Sequence, residues 1–344
     1  MNRLKYQIIN FGKFAGQTVT TFTNFFVIII LAWSLLHLFP GDRWLLVRLG
    51  NYLAPWFLMG LIPVLLAALL KRRWRMAALT LAALALITGH SWPTLISPAQ
   101  PLAQNQDSIL KVMTFNVHYS NRNVDEIAAF IRLEEPDIVA LQEITLELAG
   151  PLQDELAAEY PYYTYDNSWG YPLGLLSRYP LQTQPHAPGV QRSIEVVIDT
   201  PEGPVTVWNV HPFVAVDRIG WQSQQRTFET ITSKVDTEQQ PVIILGDFNA
   251  TTISENYRLI AHHLTDVQAA AGRGFGFTFP ENDVLDKIPW VPWYVQLLRI
   301  PRPFLRIDHI LVSRHFAPLD TYVVPNGFGS DHRPVVATLQ FNFE

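Results

Sequence analysis

The 344-residue chain contains no cysteine. Disulfides, thiolate-held zinc and cysteine nucleophiles are thereby excluded, and any metal must be held by oxygen or imidazole. Acidic residues are almost missing from the first 106 positions, which hold nine Lys/Arg and the single acid Asp42, leaving sixteen basic and twenty-nine acidic residues for the remainder. The front is about +8 and the rest about −13. A body that acidic is a poor generic ligand for nucleic acid, whose affinity rests on neutralising phosphates with Lys and Arg. Charge of either sign is absent from residues 14 to 41, and no internal repeat is evident.

That uncharged stretch is longer than the roughly 20 residues needed to cross about 30 Å of hydrocarbon. A second runs from Leu49 to Leu70, ended by Lys71, Arg72, Arg73 and Arg75, and a third from about Met76 to Trp92. Three spans put the ends of the anchor on opposite sides. The positive-inside bias keeps Arg3, Lys5, Lys13 and the 71–75 cluster cytoplasmic, against Arg43 and Arg48 outside, so the body is expected outside the cytoplasm. A signal peptide accounts for the first stretch but not for all three. Pro93, Pro98 and Pro101 mark an extended linker. The expected organisation is an anchor with three transmembrane helices over 1–92, a linker over 93–107 and a folded body over 108–344.

From Ile109 the pattern alternates strand and helix, which predicts an α/β fold. Leu110–Val117, Asp137–Leu141, Gly174–Ser177, Val205–Val210, Val242–Leu245, Ile307–Val312 and Pro334–Leu339 read as strands. Asn123 with Glu126 predicts a capping box, Pro151 opens a helix to Ala158, and Gln222–Lys234 reads as another helix. Five of the apolar runs carry polar residues to their ends: Asn116, Glu143, His211, Asp247 with Asn249, and Asp308. Ser330-Asp331-His332 precedes the last strand. If the strand continues past Gly246, Asp247 and Asn249 face one side; a simple turn is the competing reading of that stretch.

Oxygen donors without cysteine suit a hard cation such as Mg²⁺, which keeps several waters and needs few carboxylates. Glu143 is the leading candidate ligand, with Asn116 beside it. Water attack on a phosphate ester also needs a group to orient the water, donors for the phosphoryl oxygens and help for the leaving oxygen. Asp247, then Asn249 with His211, then His332 are suited to these tasks, with Asp308 holding an imidazole in the useful tautomer.

Seven stretches in order, TFNVH at 114–118, PDIVALQE at 136–143, LLSRYP at 175–180, NVH at 209–211, GDFN at 246–249, RIDHIL at 306–311 and SDHRPV at 330–335, resemble the endonuclease/exonuclease/phosphatase superfamily. That fold is shared by DNase I, abasic-site endonucleases, neutral sphingomyelinases and inositol-phosphate phosphatases. The resemblance implies a four-layer α/β sandwich, two packed mixed sheets flanked by helices, with the site at the strand ends. It implies Asn116 and Glu143 as ligands of Mg²⁺ or Mn²⁺, His211 and Asn249 on the phosphate, Asp247 aligning water, and Asp308 paired with His332. Asp331 matches a further acidic residue, on a second metal or near the leaving group. The layout of spans followed by such a domain is similar to a bacterial membrane group that includes teicoplanin-resistance proteins, which suggests a lipid-linked phosphate as substrate.

Between Pro280 and Arg306, an insertion packs Trp290, Trp293, Tyr294, Leu297, Leu298 and Ile300 beside Arg299 and Arg302, a composition that membrane interfaces select. It reads either as a segment touching the bilayer or as a cap on the domain's own core. The expectation is a membrane-anchored, metal-dependent phosphoesterase partnered by the bilayer and by a phosphate-containing substrate, with no protein partner. An extracytoplasmic nuclease is disfavoured by the −13 body. A non-catalytic binding or sensor domain is disfavoured because no residue of the expected set is missing.

Overall fold

The computed structural model describes residues 2–39, 41–95, 108–281 and 303–342, in two compact units, Met1–Trp92 and Pro93–Glu344. The aromatic insertion with Trp290 to Ile300, and most of the linker, lie outside the described residues.

The first unit is three helices: α1 (Asn2–Leu38), α2 (Leu45–Leu70) and α3 (Trp74–Leu95). Gly50 of α2 lets α1 approach, since a Cβ there would lie 2.0 Å from the Trp33 ring, whose Nε1 donates to the Val47 carbonyl at 3.1 Å. Two helices are long and apolar enough to cross a membrane, Lys13–Leu38 and Leu45–Leu70, with 22% and 17% of their apolar windows buried in protein. Their apolar surface therefore faces outward, as it does where hydrocarbon is the solvent. The expectation of three spans is corrected to two among the described residues. The third helix forms, but only Trp74–Gly89 counts as apolar helix, short of a full crossing. Arg48, counted from sequence as a loop charge, is instead inside α2 and buried, its guanidinium donating to the Asp42 and Arg43 carbonyls at 2.7 and 3.2 Å.

Among its described residues the second unit contains twelve strands: β1 (Ile109–Asn116), β2 (Ile138–Gln142), β3 (Tyr162–Asp166), β4 (Leu173–Ser177), β5 (Leu181–Thr183), β6 (Ser193–Thr200), β7 (Gly203–Val210), β8 (Val242–Asp247), β9 (Thr265–Asp266), β10 (Asp308–Val312), β11 (Phe316–Val323) and β12 (Val335–Phe341). Its helices are α4 (Val124–Glu134), α5 (Leu146–Leu156), α6 (Arg218–Val235), α7 (Glu255–Ile260) and α8 (Val267–Ala271). The strands form two six-stranded sheets, ordered β11-β12-β1-β2-β4-β3 and β5-β6-β7-β8-β10-β9. Each is mixed, with one parallel pair, β1–β2 and β7–β8, at its centre. Alternation along β1 shows why: Val112 enters the core between the sheets with Val207 and Leu245, while Met113 and Phe115 pack outward on Ile127 and Leu148. Trp208 and Ile244 of the other sheet pack outward on Phe228 and Tyr257. Both faces of the central strands are covered, which is the reason they read as unbroken apolar runs.

Two helix expectations need correction. α5 starts after Thr145, not at Pro151, which falls in the helix interior; burying Leu148, Leu152 and Leu156 offsets the hydrogen bond the proline cannot make. Asn123 stands at the start of α4 without a side-chain cap, and its Nδ2 donates instead to the Phe328 carbonyl at 3.2 Å. The sequence reading singled out neither β3, β5, β6, β9 and β11 nor α7 and α8.

Candidate active site

Register brings the polar strand ends together. Asn116 pairs with Gln142 across β1–β2, Val210 with Gly246 across β7–β8, and Asp308 with Asp247 across β10–β8. The two sheets are fastened just beneath by side chains: Gln142 Nε2 donates to Asn209 Oδ1 at 2.7 Å, and Asn209 Nδ2 donates to the carbonyls of Leu141 and Gly174 at 3.0 and 2.8 Å. Buried polar groups with every partner supplied hold one register rather than several. Gly246 sits at φ 150, and a Cβ there would meet the Val210 carbonyl oxygen at 2.0 Å, so only glycine lets β8 lie this close to β7 before Asp247.

Asp247 is the hub. Its Oδ2 accepts from Asn116 Nδ2 at 3.0 Å and lies 3.5 Å from His211 Nε2 and 3.7 Å from His332 Nε2; its Oδ1 accepts the Asn249 backbone N–H at 2.9 Å. The chain turns after Asp247, and Asn249 takes a left-handed φ of 49, so strand alternation does not place it; its Nδ2 donates to the Pro212 carbonyl next to His211. Glu143, also left-handed at φ 57, lies 3.6 Å from His211 Nε2 and 3.4 Å from Asn116 Nδ2, and accepts the Tyr119 N–H at 3.1 Å. His332 Nδ1 and Asp308 Oδ2 are 2.9 Å apart. Ser330 ties this pair to β1, its hydroxyl donating to the Asn116 carbonyl at 2.6 Å and accepting the His332 N–H at 3.0 Å. Asp331, half-buried, has no hydrogen bond or ion pair to the cluster among the described residues, but its carboxylate is near enough to His332 to help hold that imidazole protonated; its carbonyl accepts the Glu281 N–H at 2.7 Å.

Burial and like charge push the Asp247 carboxyl up to about 7: desolvation dominates and Asp308 adds to it, while His332, Asn249 and Asn116 act the other way. Burial alone would lower the His332 imidazole, but Asp308 and then Asp247 outweigh it and lift it to about 10. Burial pushes His211 down to about 4, with Arg192 and His332 adding to the shift against Glu143. One neutral and one charged imidazole thus flank a carboxyl poised near neutrality.

The donor set fits a hard divalent cation. Carboxyl groups of Glu143, Asp247 and Asp308 converge with His332 and the nearby Arg192 to balance them, and among the described residues the buried Asp308 Oδ1 has no hydrogen-bond partner. Asp247, Asp308 and His332 each offer a ligand atom within 4.8 Å of the others. A cation taking Asp308 Oδ2 there would break the 2.9 Å contact with His332, whereas Asp308 Oδ1 and Glu143 lie outside that contact. Asn116 turns its NH₂ toward both carboxylates and its Oδ1 to the His118 N–H at 3.0 Å, so offering oxygen to a cation requires a half-turn of the amide.

Two residues outside the sequence-derived set stand at the site. Tyr171 packs edge-on to His211, and Arg192, whose carbonyl accepts the His211 N–H at 2.9 Å, stacks on Tyr171. Neither adjoins an apolar run that ends in the site motifs, so no spacing signal marks them. His309 is a packing residue: buried against Phe248 and Tyr257, it donates to the Ala250 carbonyl at 2.9 Å, and burial holds it down at about 3.

A model of the Endonuclease/Exonuclease/phosphatase family matches residues 113–332. No curated protein matches the chain significantly. Among solved structures, an endonuclease/exonuclease/phosphatase from Bacteroides vulgatus is 21% identical, with a TM-score of 0.53 over 68% of this chain and 100% of that one. Truncated Caenorhabditis elegans TDP2 is 18% identical, with a TM-score of 0.52 over 67% and 98%. The mannosyl-6-phosphatase Bt3783 of Bacteroides thetaiotaomicron is 18% identical, with a TM-score of 0.50 over 67% and 100%. At these identities the likeness shows the fold.

Proposed function

The chain belongs to the endonuclease/exonuclease/phosphatase family, and on that premise we propose that it is a membrane-anchored, divalent-metal-dependent phosphoesterase that hydrolyses a lipid-linked phosphate ester or pyrophosphate outside the cytoplasm. The observation that carries the chemistry is the Asp247 carboxyl, flanked by His211 and by a His332 bonded to Asp308. Two apolar helices and a body of about −13 favour a membrane-borne, non-nucleic-acid substrate.

Asn116 and Glu143 would hold Mg²⁺ or Mn²⁺, which when bound supplies charge neutralisation on a phosphoryl oxygen, and Asp331, beside His332, would serve a second ion or the leaving group. Asp247, titrating near neutrality, orients a water and takes its proton as that water attacks phosphorus. His332, kept protonated by Asp308, donates from Nε2 to oxygen where negative charge develops. Neutral His211 and the Asn249 amide donate to the remaining phosphoryl oxygens. Extracytoplasmic placement requires an odd number of crossings, so it depends on α3, whose apolar part Trp74–Gly89 extends about 24 Å at 1.5 Å per residue and crosses only where the bilayer thins or flanking residues reach the interface.

The test is release of phosphate or head group by detergent-solubilised protein with Mg²⁺, offered lipid pyrophosphate, phospholipid and DNA side by side, with Asp247→Ala as control. Lipid turnover lost by about 10²-fold or more in the variant is the expected outcome. Turnover of DNA alone would replace the lipid reading with the nuclease, and turnover of none would favour a binding domain.

A further inference from the structure

Arg192 is the cation beside the site for which the proposed hydrolysis has no use. It lies just ahead of β6 in the left-handed region at φ 54, and its carbonyl bond to the His211 N–H ties its position to that residue. Although it is an arginine, it is only 8% exposed. Its guanidinium carbon lies 3.6 Å from the ring centroid of Tyr171 and 3.6 Å from that of Phe213. Tyr171 in turn meets the His211 ring edge-on, centroids 5.8 Å apart.

Buried arginines are ordinarily paired with carboxylates. Among the described residues Arg192 forms no ion pair, and its Nε is buried with no hydrogen-bond partner. Cation–π contact offsets part of that desolvation. It does not satisfy the N–H donors that remain beside the one the Tyr171 hydroxyl meets; these lie in the guanidinium plane and match the paired oxygens of a phosphoryl group. Two covered ring faces restrict a ligand to approach in that plane. Both Arg192 and His211 lie against the one Tyr171 ring, so a group held by Arg192 sits beside the phosphoryl group that His211 would hold, not in its place.

The charge balance leads to the same conclusion. Glu143, Asp247 and Asp308 surround the reacting position, and the body around them is strongly acidic. A substrate with a second negative group next to the scissile phosphorus would be repelled there unless a fixed cation met it. We infer that Arg192, clamped between Tyr171 and Phe213, grips a second, non-scissile phosphoryl group, so that the site prefers pyrophosphate esters over simple phosphodiesters. This rests on the phosphoesterase reading above and narrows its substrate class.

The experiment compares wild type, Arg192→Gln and Arg192→Lys as the full chain in detergent with Mg²⁺. kcat/KM is measured on farnesyl pyrophosphate and on bis(p-nitrophenyl) phosphate, and inorganic pyrophosphate binding is measured by calorimetry. The expected result is that Arg192→Gln lowers the preference for farnesyl pyrophosphate over the diester by about 10- to 100-fold, mainly through KM, and weakens pyrophosphate binding by a similar factor. Arg192→Lys, which keeps the charge but not the planar fork, should recover only part of either effect. An equal loss on both esters would assign Arg192 to packing or to the scissile phosphate and overturn the inference. So would pyrophosphate affinity that is unchanged in Arg192→Gln or absent in wild type. If wild type cleaves neither ester, the phosphoesterase reading fails, and the calorimetric comparison alone decides Arg192. Should Arg192→Gln not fold, Arg192→Lys carries both comparisons.

Discussion

At the scale of single residues, the site works by setting neighbouring groups against one another. His332 holds its proton because Asp308 and Asp247 outweigh its burial, and Asp247 resists ionisation because it is buried beside Asp308. For His332 the folded value, about 10, exceeds the unfolded value near 6.5. Its contribution to stability is therefore complete below about pH 6.5 and is lost as pH rises through about 10. Asp308→Asn removes the largest raising influence, so the fall in melting temperature of metal-free protein between pH 7 and 10 should flatten. An unchanged alkaline slope in that variant would mean that His332 is held by something other than Asp308. Residue types and their places at strand ends were readable in the sequence, but which group is charged was not, since each value depends on partners more than 20 positions away in the chain, as with Asp308 and His332.

At the scale of elements, the site depends on two sheets meeting in one register. Asn209 belongs to the NVH stretch that the family resemblance marks, yet its side chain points into the inter-sheet core and bonds two carbonyls of the opposite sheet. Replacing it with Ala should leave the Leu141 and Gly174 carbonyls and Gln142 without that partner and lower the free energy of unfolding by about 2–3 kcal/mol. Urea titration with an unchanged m-value is the measurement. A loss below about 0.5 kcal/mol would show that water replaces the amide and that the sheets are held by apolar packing alone. The central strands were legible because burial on both faces leaves an unbroken apolar run, as in Val242 to Leu245. Strands such as β3, with Tyr162 exposed and the rest half-buried, show no such run. Pro151 carries a helix-start signal that points to the wrong place, because the apolar face of Leu148, Leu152 and Leu156 sets α5.

At the scale of the whole molecule, the division of charge between about +8 and −13 coincides with a helical front and an α/β body. The two apolar helices should keep the protein in the membrane pellet through carbonate washing, at full length. A shorter product in the soluble fraction would identify α1 as a cleaved signal sequence. The side on which the body lies follows from α3: if it crosses, protease added outside should cut the body, and if it does not, the body shares the compartment of Arg3 and Lys5 and is protected.

The sequence by itself determined the fold family, the uncharged helical front and the polar residues at the ends of the central strands, because these properties are local: an apolar run, a polar residue at its end, a stretch without charge. Tertiary structure alone decided that Asn116 meets Asp247, 131 positions away, and that Arg192 is clamped between two rings. Those outcomes depend on how two sheets stack and which loops fold over their edge, and burial and distance of that kind have no periodicity along the chain.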